Sequence, residues 1–165
     1  MSAIAGNNNA VTQPYSLRNL RPETVRVAVV ASQWNAQITD VLAQDAVQAF
    51  IRAGVKEEHV ELIRVPGAFE LIYAASRLVQ RGGYNAVVVL GCVIRGATSH
   101  YDLICNSVAQ GMTELNLLGK CPVIFGLVTT ENELQARERT FGPVEHKGTD
   151  SAVTALRMMD LPYRG

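Results

Sequence analysis

The chain has 165 residues, with 15 Lys+Arg against 15 Asp+Glu for a formal net charge of zero, and 48% hydrophobic against 18% charged residues. A zero balance with no block of like charges excludes proteins that work through a large single-sign field, so neither nucleic acid nor a membrane surface is an expected partner. The length suits one domain that needs no staples, and a charged fraction below the roughly 25% of an average chain predicts that part of the surface is covered in an oligomer.

Residues 1–22 begin with small and polar residues, including Asn7, Asn8 and Asn9, and lack the basic leader and apolar run of a secretory signal. They read as an N-terminal arm, either mobile or laid as an extra strand on a neighbouring subunit, with 23–165 as a single domain. Residues 25–31 (VRVAVVA) predict a strand. Residues 39–53 predict a helix, because Leu42, Ala46, Ala49, Phe50 and Ala53 recur on one face before Gly54 stops it. Residues 60–65 predict a second strand, and 67–81 a helix that ends at the left-handed stop Gly82-Gly83.

Residues 85–90 (NAVVVL) are apolar on both faces, as a central parallel strand covered by helices on each side must be. This run is strand-sized, far short of the ~18–20 apolar residues that span a bilayer. Helix is predicted over 99–118, strand over 122–127 (PVIFGL), a short charged helix over 131–140 and a closing helix over 148–159. The order βαβαβαβ followed by two helices predicts an α/β/α three-layer sandwich with a central four-stranded parallel sheet. Ligands in such folds gather at the carboxyl ends of the strands, which directs attention to 32–35, 65–70, 91–100 and 129–132.

Several tenants of this fold are disfavoured at those ends. No GxGxxG follows the first strand, no GxxxxGK[ST] is present, and no Asp ends the first strand as a Mg²⁺-binding receiver domain requires. His59, His100 and His146 lack ligand-spaced partners, so no metal is expected. Cys92, Cys105 and Cys121 form no CxxC pair, and their odd number fits a reducing, cytoplasmic setting with thiols acting as small apolar residues.

The segment 91–100 (GCVIRGATSH) leaves a buried strand and enters a helix. Gly96 permits close backbone approach, Ala97 is small, and Thr98 or Ser99 can cap the helix, whose first N–H groups form an anion site. His100 in that turn can move protons beside a bound phosphate. An ordinary capped helix with an exposed histidine would account for this segment on its own. In 65–70 (VPGAFE), Pro66 and Gly67 mark the strand-to-helix switch, and Glu70 either serves the helix dipole or faces a ligand. Trp34, the sole tryptophan, is either packed or stacked on a planar heterocycle. Arg137, Arg139 and Lys147 are cations on or near the short charged helix.

Trp34-Asn35, 65–70, 91–102, 125–132 (FGLVTTEN), 135–139 (QARER) and Lys147-Gly148 stand in register over about 25–161. This set resembles the 6,7-dimethyl-8-ribityllumazine synthase family of riboflavin biosynthesis. The resemblance implies a flavodoxin-like fold and a cofactor-free, metal-free condensation of 5-amino-6-(D-ribitylamino)uracil with 3,4-dihydroxy-2-butanone 4-phosphate, releasing phosphate and water. It implies that Trp34 stacks on the pyrimidine beside Asn35, and that Ala68, Phe69 and Glu70 hold the ribityl chain. Backbone groups of Cys92, Val93 and Ile94 would read the uracil edge. Ala97, Thr98 and Arg139 would hold the phosphate, with Lys147 near it, and His100 would transfer the proton. Phe125 would reach the site from an adjacent subunit of a homopentamer. Twelve pentamers in a 60-subunit icosahedral shell and an enclosed riboflavin synthase are further implied partners. The family more often has Phe at the stacking position, so Trp34 carries the added expectation of flavin binding, and Ile72 stands where many relatives have Pro. A flavin carrier or a purely structural shell protein would need none of His100, Arg139 and Lys147, whose joint presence favours an enzyme.

Overall fold

The computed structural model describes residues 13–143 and 145–162. Four strands, β1 (Val27–Ser32), β2 (Val60–Val65), β3 (Ala86–Ile94) and β4 (Val123–Thr130), form one parallel sheet in the order β2-β1-β3-β4. The helices are α1 (Ala36–Arg52), α2 (Glu70–Arg81), α3 (His100–Leu117), α4 (Glu133–Phe141) and α5 (Lys147–Met159), with single 3₁₀ turns at Pro22–Thr24 and Glu57–His59. This is the expected α/β/α sandwich of the flavodoxin-like type, βαβαβαβ with two further helices.

Strand alternation divides the core into two. Val27, Val29 and Ala31 of β1 and Ala86, Val88, Leu90 and Cys92 of β3 pack with Leu42 and Phe50 of α1, Ala136 of α4 and Leu156 of α5. Ala28 and Val30, with Val87 and Val89, face Leu71, Ala75 and Leu78 of α2 and Val108, Met112 and Leu115 of α3. Both central strands are therefore apolar on both sides, which is why they read as continuous β-branched runs. No helix among the described residues is long and apolar enough to cross a membrane.

Because α1 leads outward to β2 on one face and α2 leads back to β3 on the other, the chain reverses direction between β1 and β3. That gap is the topological switch point, where such sheets open a crevice. β3 also outruns β1: its register with β1 ends at Leu90, whereas 91–94 pair only with β4, from Gly91 opposite Leu127 to Ile94 opposite Thr130. The strand edge above Leu90 faces the crevice.

The boundaries correct several expectations. β1 begins at Val27 rather than 25. β3 runs on to Ile94 rather than stopping at 90, and β4 runs to Thr130 rather than 127. These two extensions are one event, since each strand satisfies the other's backbone groups. The first helix starts at Ala36, not 39, and α2 starts at Glu70, not 67. The predicted stop at Gly82-Gly83 is present, both at positive φ.

Of the N-terminal arm, residues 1–12 lie outside the described residues, and with them most of the choice between a mobile arm and an added strand. The rest is docked on the chain's own body: Tyr15 Oη and the amides of Arg18, Asn19 and Leu20 all donate to the Asp160 carboxylate at 2.7–3.0 Å.

Candidate active site

The turn after β1 is built by backbone bonds to the turn after β2. Gln33 N donates to Val65 O at 2.8 Å, and Trp34 N donates to Pro66 O at 3.1 Å. Asn35 then adopts φ 59°, ψ 48°, the sole non-glycine at positive φ among the described residues, a conformation that asparagine tolerates better than most. Its side chain spans the switch point, Nδ2 donating to Cys92 O on β3 at 3.0 Å. Asn35 therefore turns the chain into α1 and also ties β1 to the extended part of β3.

Trp34, in the turn after β1, is 66% exposed and Phe69 is 52% exposed, large apolar surface that a folded chain usually covers. The indole lies directly over Gly67: a β-carbon there would come within 2.8 Å of Trp34 Cε3 and Cζ3. Only glycine allows the ring to sit so close to the backbone. Glu70 folds back so that Oε2 accepts the Gly67 N–H at 3.0 Å, which closes the turn ahead of α2 and explains why the helix starts later than its period suggests. Ala68 is buried beneath this turn.

On the β3 side, residues 95–100 are all exposed. Of the two expected caps of α3, Ser99 makes none, because it takes a helical conformation itself, whereas Thr98 Oγ1 accepts the His100 N–H in a long bond of 3.4 Å. The helix N-terminus thus opens on the exposed loop 95–100 with only this weak side-chain cap on its partial positive charge. His100 is the first residue of α3, and Asp102 in the same turn is engaged by Arg95. Burial pushes the Cys92 thiol up to about 11, which leaves it inert beside the crevice.

The remaining predicted residues stand on other elements. Arg139 is on the last turn of α4, where it pairs with Glu145 at 3.1 Å, and no bond joins it to Ala97 or Thr98 among the described residues. Lys147 opens α5 on the α1 side of the sheet, one residue before Gly148, which abuts Leu42. Phe125 is opposite Val89 whereas Thr130 is opposite Ile94, so at about 3.3 Å per residue it stands roughly 16 Å back from the strand end. It is 40% exposed and lines a surface hollow with Ala109, Thr113 and Leu117. Within one chain, then, Trp34, Asn35, Ala68, Phe69 and Glu70 lie in the joined turns after β1 and β2, and Asn35 reaches the extension of β3 that carries Cys92, Val93 and Ile94. Ala97, Thr98 and His100 follow on the loop and first turn of α3, whereas Phe125 lies back along β4, and Arg139 and Lys147 stand on α4 and α5.

One residue at the site escaped the sequence reading. Arg95 bonds Asp102 through both terminal nitrogens at 3.1 Å, Glu131 through Nε at 2.9 Å, and stacks 4.2 Å above the Tyr101 ring. Its sole signal in the sequence is its place within 91–100.

The family described as 6,7-dimethyl-8-ribityllumazine synthase matches residues 24–163. Proteins of that name are similar over most of their length. The one from Porphyromonas gingivalis is 44% identical over 137 residues, 83% of this chain and 85% of the relative. The one from Parabacteroides distasonis is 43% identical over 136 residues, 82% and 85%. That from Bacteroides fragilis is 40% identical over 139 residues, 84% and 97%. The match spans every strand and helix that shapes the crevice, and the chain belongs to the 6,7-dimethyl-8-ribityllumazine synthase family.

Proposed function

We propose that the crevice between β1 and β3 is where this chain performs its family's transferase reaction. In that reaction 5-amino-6-(D-ribitylamino)uracil and 3,4-dihydroxy-2-butanone 4-phosphate condense to 6,7-dimethyl-8-ribityllumazine, phosphate and water. The observation that carries the assignment is the Asn35–Cys92 bond across the switch point, which ties the turn bearing the exposed indole to the extended end of β3 that leads to His100.

The chemistry asks little of the protein. The amine is already a nucleophile and phosphate a fair leaving group, so proximity, an electrostatic seat for the phosphate and one proton relay suffice. Trp34 stacks on the pyrimidine while the backbone of Cys92, Val93 and Ile94 meets its edge. Asn35 already donates to the Cys92 carbonyl, which fixes the amide beside that edge. Ala68, Phe69 and Glu70 take the ribityl chain, the Glu70 carboxylate keeping one oxygen for Gly67. The phosphate sits at the α3 N-terminus on Ala97 and Thr98, and His100 moves the proton. Arg139 adds a cation; its exposed pair with Glu145 is worth only about 0.2–1 kcal/mol, which a phosphate dianion can displace.

The reading extends to assembly. Phe125 is too far back to serve its own crevice and is exposed beside α3, which supports a homopentamer in which it and Lys147 complete a site with a neighbour. A 60-subunit shell, an enclosed riboflavin synthase and a cytoplasmic location belong to the same proposal.

Mixing the protein with both substrates and following lumazine fluorescence tests the reaction; product at no more than the spontaneous rate would overturn it. His100→Ala is expected to lower kcat by about 10²–10⁴-fold, the usual share of a proton-transfer group, and to leave the proximity contribution measurable. An unchanged rate removes His100 from the mechanism.

A further inference from the structure

We propose that Arg95 is a positioning residue: it clamps the β3–α3 loop so that Ala97, Thr98 and His100 are held in working geometry. The proposal rests on the function inferred above.

Residues 95–100 are exposed without interruption, and none belongs to either core. Gly96 adds backbone freedom. Burial therefore does not fix this loop, although its residues are the ones that must meet the phosphate and the migrating proton. Arg95 supplies what burial does not. Its amide donates to Thr130 O at 2.9 Å, which extends the β3–β4 pairing to the start of the loop. Its guanidinium grips both oxygens of Asp102, in the first turn of α3, at 3.1 Å each. The fork joins the two ends of the loop across seven residues.

The same planar group reaches Glu131 and stacks on Tyr101, the residue next to His100. Glu131 precedes Asn132, whose side chain caps α4 by accepting the Gln135 N–H at 2.9 Å. One side chain thus joins the end of β3, the first turn of α3 and the entry to α4. Each exposed ion pair alone is weak, but a two-pronged fork, a second carboxylate and a stacked ring share the cost of ordering a single guanidinium.

Charge separates positioning from direct ligation. Arg95 carries one positive charge against two carboxylates, so the cluster is net negative and the guanidinium is not free to bind a dianion. Lysine could keep the charge but could neither fork nor stack.

The test combines steady-state kinetics with amide hydrogen exchange in Arg95→Ala, Arg95→Lys, Asp102→Asn and the double variant Arg95→Ala/Asp102→Asn. Expected are a loss of at least tenfold in kcat/KM for the butanone phosphate in Arg95→Ala and a smaller loss in the same direction in Asp102→Asn. The double variant should be no slower than Arg95→Ala, because the two residues act as one unit. Arg95→Lys should recover only part of the loss. KM for the pyrimidine should stay within twofold, since Trp34 and Glu70 are held by other bonds, and amides 97–102 should exchange faster in Arg95→Ala. Wild-type kinetics with unchanged exchange in Arg95→Ala would overturn the proposal. So would a large loss in Arg95→Ala with full activity in Asp102→Asn, the pattern of a direct phosphate ligand. If the wild-type protein forms no lumazine, the function reading falls, and the exchange measurements still decide whether Arg95 clamps the loop.

Discussion

Trp34 shows how one residue links backbone packing to binding. Its ring rests on Gly67, and the residue as a whole remains 66% exposed. A planar heterocycle is the natural cover for that exposed surface, and stacking of this kind on nucleobases contributes about 1–3 kcal/mol. Trp34→Ala should therefore raise KM for the pyrimidine by about 5- to 150-fold. An isoalloxazine is a larger planar system of the same chemistry, so riboflavin is expected to bind in the same place. With a single tryptophan in the chain, quenching of its emission on flavin titration reads this directly. Unquenched emission at saturating flavin would count against it.

At the scale of elements, strands and helices were legible wherever apolar period carried the signal, and their ends were not. α1 starts three residues before its predicted start at 39, because Asn35 sets the first turn through its own left-handed backbone while the apolar stripe begins only at Ile38. β3 and β4 run past their predicted ends because each supplies the other's hydrogen bonds, a pairing that no local pattern contains. The crevice was legible as a set of strand ends, whereas the Arg95 clamp was not, since its partners Asp102 and Glu131 are ordinary surface charges until the fold brings them together. Helix packing follows the same rule. Gly148 reads as a neutral position near a helix start, yet α5 lies so close to α1 that a β-carbon there would stand 2.4 Å from Leu42 O. Gly148→Ala should destabilise the chain by about 1–3 kcal/mol, the range of an overpacked core. A thermal midpoint lowered by several degrees is the expected reading, and an unchanged midpoint would show that the two helices can move apart at no cost.

For the molecule as a whole, the segment before β1 and the residue after α5 form a single closure. Asp160 is 2% exposed and accepts from Tyr15 Oη and from the amides of Arg18, Asn19 and Leu20, while its own carbonyl accepts Asn19 Nδ2 at 2.6 Å. Desolvation pushes its carboxyl pKa up, but the four donors outweigh it and hold the group below the ordinary value of 3.8. The stability it contributes is therefore complete above 3.8 and is lost as pH falls below that value, through the folded-state pKa. Asp45 and Asp150, at the contact of α1 with the start of α5, are raised instead, mainly by desolvation. They cost stability at neutral pH, and the cost is relieved as pH falls toward 3.8. Stability should thus rise modestly from neutral pH into the mildly acid range and fall below 3.8, with the arm opening first. Asp160→Asn places an NH₂ among donors and should cost about 2–3 kcal/mol locally, seen as amide exchange at Arg18, Asn19 and Leu20 faster by about 30- to 150-fold at neutral pH. In that variant the same amides should no longer respond to acid below 3.8. If they exchange at the wild-type rate instead, the arm is held by its apolar contacts, Tyr15, Leu17 and Leu20 against the core, and not by the carboxylate.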